Sequence, residues 1–130
     1  MENGLRLALL RKIAGFFRAA MPKEQNDERV FVLPLDANGK VLAKPVFASV
    51  GDKDGTAAIE SDAIFREALK AGADEIVVAH NHPSGDLTPG KADIAATKEL
   101  KDLARRLGVV FLDHLTISTN GDCVSLEEIL

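Results

Sequence analysis

The 130-residue chain has 16 Lys and Arg against 20 Asp and Glu, a formal net charge of −4, with 46% hydrophobic and 28% charged residues. This balance suits a compact domain with a real core and argues against disorder and against a protein built mainly to coat nucleic acid. The single cysteine, Cys123, rules out an intrachain disulfide and a four-thiolate zinc site.

A domain of this length buries roughly two thirds of the surface its unfolded chain exposes, so it needs no metal to fold. A metal found here would serve chemistry. The cysteine usage suits a reducing compartment. The partly apolar segment from Leu5 to Ala20 is interrupted by Arg6, Arg11, Lys12 and Arg18 and lacks a cleavage signature. No run reaches membrane-span length, so the expected location is the cytoplasm.

In chain order, Leu9, Ile13, Phe16, Phe17 and Ala20 recur at helical spacing and predict an amphipathic first helix. It docks on the domain or serves as a partner surface. Residues 21–27, with Pro22, form a connector. Residues 28–36 (ERVFVLPLD) and 40–50 are β-rich and flank the turn signal Asp36-Ala-Asn-Gly39, which predicts an antiparallel hairpin. Pro34 and Pro45 suggest sheet edges or bulges. Residues 51–56 read as a loop. All six phenylalanines, at positions 16, 17, 31, 47, 65 and 111, sit in apolar patterns and are expected in the core.

Ser61, Ile64, Phe65, Ala68 and Leu69 share a helical face that Gly72 terminates. Residues 74–79 (DEIVVA) form a buried strand leading into HNHPSG, residues 80–85. Thr88 and Pro89 predict an N-cap and first helical position, and that helix runs to about Leu107, stopping at Gly108. Residues 109–118 form another strand, 119–122 turn the chain, and a short tail follows. The expectation is one domain over residues 1–130: a helix and connector (1–24), then a core (25–125). Its class is α/β, with a mixed sheet sandwiched between helices.

His80 and His82 stand two apart at a strand end, where side chains at that spacing point the same way. Asn81 between them points away, and Pro83 ends the strand. Asp93, Ala96, Leu100, Leu103 and Leu107 form one helical stripe, which puts a carboxylate at the head of a buried face. A buried carboxylate needs a partner. A divalent cation is one, and the helix amino end is another. Two imidazoles and a carboxylate, with water in the fourth position, make a zinc site of the catalytic kind. A general base is then required beside the water, and Glu28 opens the first β-run.

The HNHPSG run, followed by Pro89, Asp93 and then Asp113-His114, resembles the RadC-like branch of the JAB/MPN (JAMM) metalloprotease superfamily. The likeness covers roughly residues 28–125. The family pattern is a distant Glu, then His-x-His, seven residues, Ser, two residues and Asp. The resemblance implies zinc held by His80, His82 and Asp93, Glu28 as the catalytic carboxylate, and a cytidine deaminase-like fold. It also implies a peptide or protein substrate, including conjugates of ubiquitin-like proteins, since characterised members hydrolyse peptide or isopeptide bonds. The family Ser falls on Gly90, which lacks the hydroxyl that helps bind the developing oxyanion, although its backbone N–H lies near a helix amino end. Metal binding is therefore expected to persist with reduced or altered hydrolysis. The helix-hairpin-helix module that precedes this domain in longer relatives is not among these residues, which weakens the expectation of direct DNA contact. His114 either supports the metal ligands or is a packed histidine; Asp113 faces the other way.

Three other readings compete. One is a non-catalytic MPN-type protein-binding module, which Gly90 motivates. Another is a zinc deaminase, which needs His-x-Glu with Pro-Cys-x-x-Cys and fails on His82 and on the cysteine count. The third is a DNA-repair-associated, nucleic-acid-facing role. Lys98, Lys101, Arg105 and Arg106 would carry it, but Glu99 and Asp102 interleave with them and read as a solvated face.

Overall fold

The computed structural model of the protein describes residues 2–21, 27–50, 60–118 and 122–128. Most of the expected 21–27 connector, the 51–56 loop and most of the 119–122 turn lie outside these. Three helices, α1 (Glu2–Ala20), α2 (Ser61–Lys70) and α3 (Lys91–Leu107), accompany five strands: β1 (Arg29–Leu35), β2 (Val46–Val50), β3 (Glu75–Asn81), β4 (Val110–Ile117) and β5 (Cys123–Ser125). The strands form one mixed sheet in the order β2-β1-β3-β4-β5. Among the described residues only β3 and β4 run parallel, because α3 carries the chain back across the sheet between them.

The alternation of side chains along each strand divides the core into two layers. Val30, Val32, Ile76 and Val78 pack against Ile64, Phe65 and Ala68 of α2 and Ala96, Leu100 and Ala104 of α3. On the opposite face Phe31, Leu33, Val77, Ala79, Leu115 and Ile117 meet Ala14, Phe17 and Met21 at and beyond the end of α1. Helices thus cover both faces, as the α/β pattern predicts, and the first helix docks on the domain. Both α2 and α3 end in paired backbone bonds around a glycine of positive φ. Ala73 and Gly72 donate to Ala68 and Leu69, and Val109 and Gly108 to Ala104 and Arg105.

Several expectations need correction. The buried stripe of α1 is turned by about one residue: Phe17 and Ala14 are buried, but Leu9 and Phe16 face outward. Leu69 and Leu107 are also exposed, and Ala63 and Ala104 take the inner positions. Phe47 is exposed on the edge strand, its ring edge-on to Phe31 at 5.7 Å. β1 is an interior strand despite Pro34, because its last pair with β2 is Val32 with Val46, so the proline falls beyond that ladder. Pro45 precedes the edge strand β2. The tail after residue 122 is a strand, β5, antiparallel to β4, too short for periodicity to reveal. Among the described residues no helix is long and apolar enough to cross a membrane.

Candidate metal centre

His80 closes the α3-facing side of β3. It lies opposite Val30 in the β1 register and opposite Thr116 in the β4 register. Past Asn81 the chain stays beside β4, since the His82 N–H donates to the Ile117 carbonyl at 3.3 Å. The loop to α3 is then held at three points. Gly85, at φ +84°, turns back onto the His82 carbonyl at 2.9 Å. Thr88 N–H donates to Asp86 Oδ1 at 3.0 Å, and Thr116 Oγ1 to the Leu87 carbonyl at 3.2 Å.

The helix does not start where its sequence suggests. Thr88 is committed to the Asp86 turn, and the N-cap is Gly90, with Lys91 the first helical residue. The cause is Asp93. As the third helical residue it reaches back so that its Oδ2 accepts from Gly90 N–H at 2.9 Å, half of a capping box whose other half glycine cannot supply. The same bond occupies the Gly90 N–H that the sequence offered as an oxyanion donor.

Four side chains converge at this end of the sheet. His80 Nε2 lies 2.9 Å from His82 Nε2. Asp93 Oδ1 is 3.2 Å from His80 Nε2, and its Oδ2 is 3.4 Å from His82 Nε2. Glu28 Oε1 stands 3.8 Å from His82 Nε2. Glu28, His80 and His82 each present a donor atom within 4.8 Å of the other two, so they too form a possible metal-binding group. Asp93 is a second candidate for the third donor. A tetrahedron with bonds of roughly 2.0–2.1 Å has edges of about 3.3 Å. Asp93 comes near that length with a different oxygen to each histidine, while Glu28 lies beyond it at 3.8 Å and the two histidine nitrogens fall short of it at 2.9 Å. The site is closed at His80, whose side chain is 1% exposed, and opens toward Glu28 at 19%.

The donor chemistry suits a cation. His82 Nδ1 lies 2.7 Å from the Asp86 carbonyl, which can only accept, so Nδ1 carries a proton. In the neutral ring Nε2 is then a bare lone pair aimed at His80 and Asp93. Burial would raise the Asp93 carboxyl, but the His80 and His82 rings against it outweigh burial and hold it well below the usual carboxylate range. The Asp93 bond, against burial, also pushes His82 above its ordinary value. A positive charge is thus favoured among these groups.

Neighbouring residues hold the cluster in place. Asn81 points away from the histidines, as strand alternation predicts, and its buried amide brackets Glu28. Its Oδ1 accepts from Arg29 N–H at 2.7 Å, and its Nδ2 donates to the Asp27 carbonyl at 3.0 Å. Sequence reasoning missed this clamp because the partners lie more than fifty residues away. Asn81→Ala is expected to lower unfolding free energy by roughly 2 kcal/mol through two lost buried bonds, read by urea denaturation. His114, the residue left undecided by sequence, is wholly buried beside the site, with Nε2 2.7 Å from His80 Nδ1. Burial lowers its pKa well below the ordinary histidine value. Asp113 faces the other way and ties down the carboxy-terminal segment: it accepts from Ser125 Oγ at 2.6 Å and from Glu127 N–H at 3.4 Å. Burial raises its pKa. Cys123 is half-buried and outside the cluster.

Comparison with known proteins identifies the family. A family profile described as "RadC-like JAB domain" matches residues 9–129. A UPF0758 protein of Nostoc sp. is 43% identical over 105 residues, covering 81% of this chain and 42% of the relative. One from Thermosynechococcus vestitus is 41% identical over 105 residues, covering 81% and 41%. One from Clostridium perfringens is 39% identical over 101 residues, covering 78% and 43%. The chain therefore spans less than half the length of these curated relatives. The match over nearly the whole length shows that the chain belongs to the RadC-like JAB domain family.

Proposed function

We propose that the chain is a zinc-dependent hydrolase of peptide or isopeptide bonds, with His80, His82 and Asp93 as metal ligands and Glu28 as general base. The observation that carries this reading is the pair of Asp93 separations, 3.2 and 3.4 Å, to two histidine nitrogens on one side. Imidazole donors favour zinc over the hard cations magnesium and calcium. When bound, zinc supplies a Lewis acid and lowers the pKa of a water to roughly 7. Glu28 stands at the open rim, placed to take a proton from water and return it to the departing amine. Asp93 contributes negative charge that offsets part of the ion's. The backbone around Glu28 is held by Asn81, so the base does not drift from the histidines.

The substrate on this reading is a peptide amide or a ubiquitin-like conjugate joined through a lysine amine, reaching the site from solvent on the side of the part-exposed Glu28. The zinc-loaded protein is expected to cleave such an isopeptide, or a peptide amide, and to lose the activity on chelation and regain it with added zinc. Activity that persists after complete zinc removal would refute the mechanism.

A second reading, a metal-bearing binding module without turnover, is favoured by Gly90: it has no hydroxyl, and its N–H is spent on Asp93. A nucleic-acid role gains no support from α3. There Arg105 and Arg106 pair with Asp102 at 2.6 and 3.0 Å, and Lys101 pairs with Glu127 at 2.9 Å.

A further inference from the structure

A chain of three hydrogen bonds leads away from the site into the core, and its direction follows from proton counting. Thr97 Oγ1 lies 2.8 Å from the Asp93 carbonyl oxygen. Two oxygens at that distance need a proton between them, and only the hydroxyl has one. Thr97 Oγ1 can then only accept from its other neighbour, His114 Nδ1, at 2.7 Å. His114 Nδ1 therefore carries a proton. The ring is wholly buried, with a hydroxyl at one nitrogen and an imidazole at the other, so it is neutral. Neutral His114 has no proton left for Nε2, which must accept from His80 Nδ1 at 2.7 Å. His80 thus carries its proton on Nδ1, and Nε2 of the neutral ring faces His82 and Asp93 as a lone pair.

We propose that Thr97 and His114 are positioning residues that select the His80 tautomer able to bind the cation. This rests on His80 being a metal ligand. The proton order is fixed at one end of the chain, where the Thr97 hydroxyl is bound to a helix carbonyl, and it is the order that leaves His80 Nε2 free for an ion. His82 reaches the same tautomer by a separate route, through the Asp86 carbonyl. The Nδ1 protons of both rings are thereby set before any ion arrives; the 2.9 Å between the two Nε2 atoms holds one further proton, on His82, which an ion would displace. The elements responsible are the first turns of α3, which carry Asp93 and Thr97 four residues apart, and β4, which places His114 beside Val78 of β3. One helix turn therefore carries a ligand and also orients another ligand from behind.

The test is a two-bond proton–nitrogen NMR correlation on the metal-free, nitrogen-15-labelled protein, which distinguishes Nδ1–H from Nε2–H rings. The expected result is Nδ1–H for both His80 and His114. An Nε2–H signal at His80 overturns the proposal, and that reading needs no variant. Zinc titration then compares Thr97→Val with Thr97→Ser. The valine variant keeps the shape but removes the acceptor, so it is expected to lose about 10–100-fold in zinc affinity. His80 in that variant should shift toward Nε2–H. Serine retains the hydroxyl and is expected to restore both readouts. Unchanged affinity and tautomer in Thr97→Val overturns the proposal. If the wild-type protein shows the predicted tautomers yet binds no zinc, the hydrogen-bond chain stands and the metal reading fails.

Discussion

Glu28→Gln is expected to lower kcat by about 10²–10⁴-fold while leaving zinc content unchanged. Glutamine keeps the size and hydrogen-bonding reach of the side chain but cannot take a proton at neutral pH. Glu28 Oε1 is 3.8 Å from the nearer histidine nitrogen, outside the edge length of a zinc tetrahedron, so its loss should not open the metal sphere. KM should change little, because the carboxylate acts on the proton in flight rather than on substrate binding. Zinc analysis and steady-state kinetics on the same preparations separate the two roles. Loss of zinc in this variant would instead make Glu28 the third ligand, the alternative that its grouping with both histidines leaves open. Retention of both zinc and full biological activity would favour the binding-module reading.

Gly90→Ser is expected to raise the hydrolytic rate by roughly 10²–10³-fold, the magnitude associated with one oxyanion donor. The backbone at Gly90 is extended, at φ −83° and ψ 172°, a conformation any residue adopts. A Cβ there would meet Asp93 Oδ2 at 3.8 Å, an ordinary contact, so serine enters without displacing the helix start. Its hydroxyl would sit beside the Asp93 carboxylate and hence beside the site. Serine is also a good N-cap, and the variant should gain a few tenths of a kcal/mol in stability. A turnover equal to that of the parent protein removes Gly90 as the reason for reduced activity.

The local pattern carries much of this site. Spacing of two at a strand end puts His80 and His82 on one side, and an inward acid early in a helix places Asp93 near them. Both inferences use only the periods of strand and helix, and the structure brings those side chains together. The role of His114 was not legible. Which residue lies beside it depends on the parallel register of β3 with β4, and that register shifts between Ile76 and Val77. No single-segment pattern encodes such a shift. Thr97 gives no signal within its own segment, because its significance comes from a partner on a strand, His114. The helix start was misplaced for a different reason. Thr88 and Pro89 suit an N-cap and first position, but they compete with Asp86, which captures Thr88, and with Asp93, which reaches back to Gly90. Leu9, Phe16, Leu69 and Leu107 show a further limit. They belong to apolar stripes wider than the surface available, and small residues, Ala14, Ala63 and Ala104, occupy the close approach to the sheet.

Metal analysis of the purified protein beside a His80→Ala variant probes the arrangement most directly. The arrangement predicts close to one zinc per chain in the parent and almost none in the variant, with both proteins folded by circular dichroism. A parent protein that takes up no zinc when it is supplied, or a variant that keeps a full complement, contradicts it.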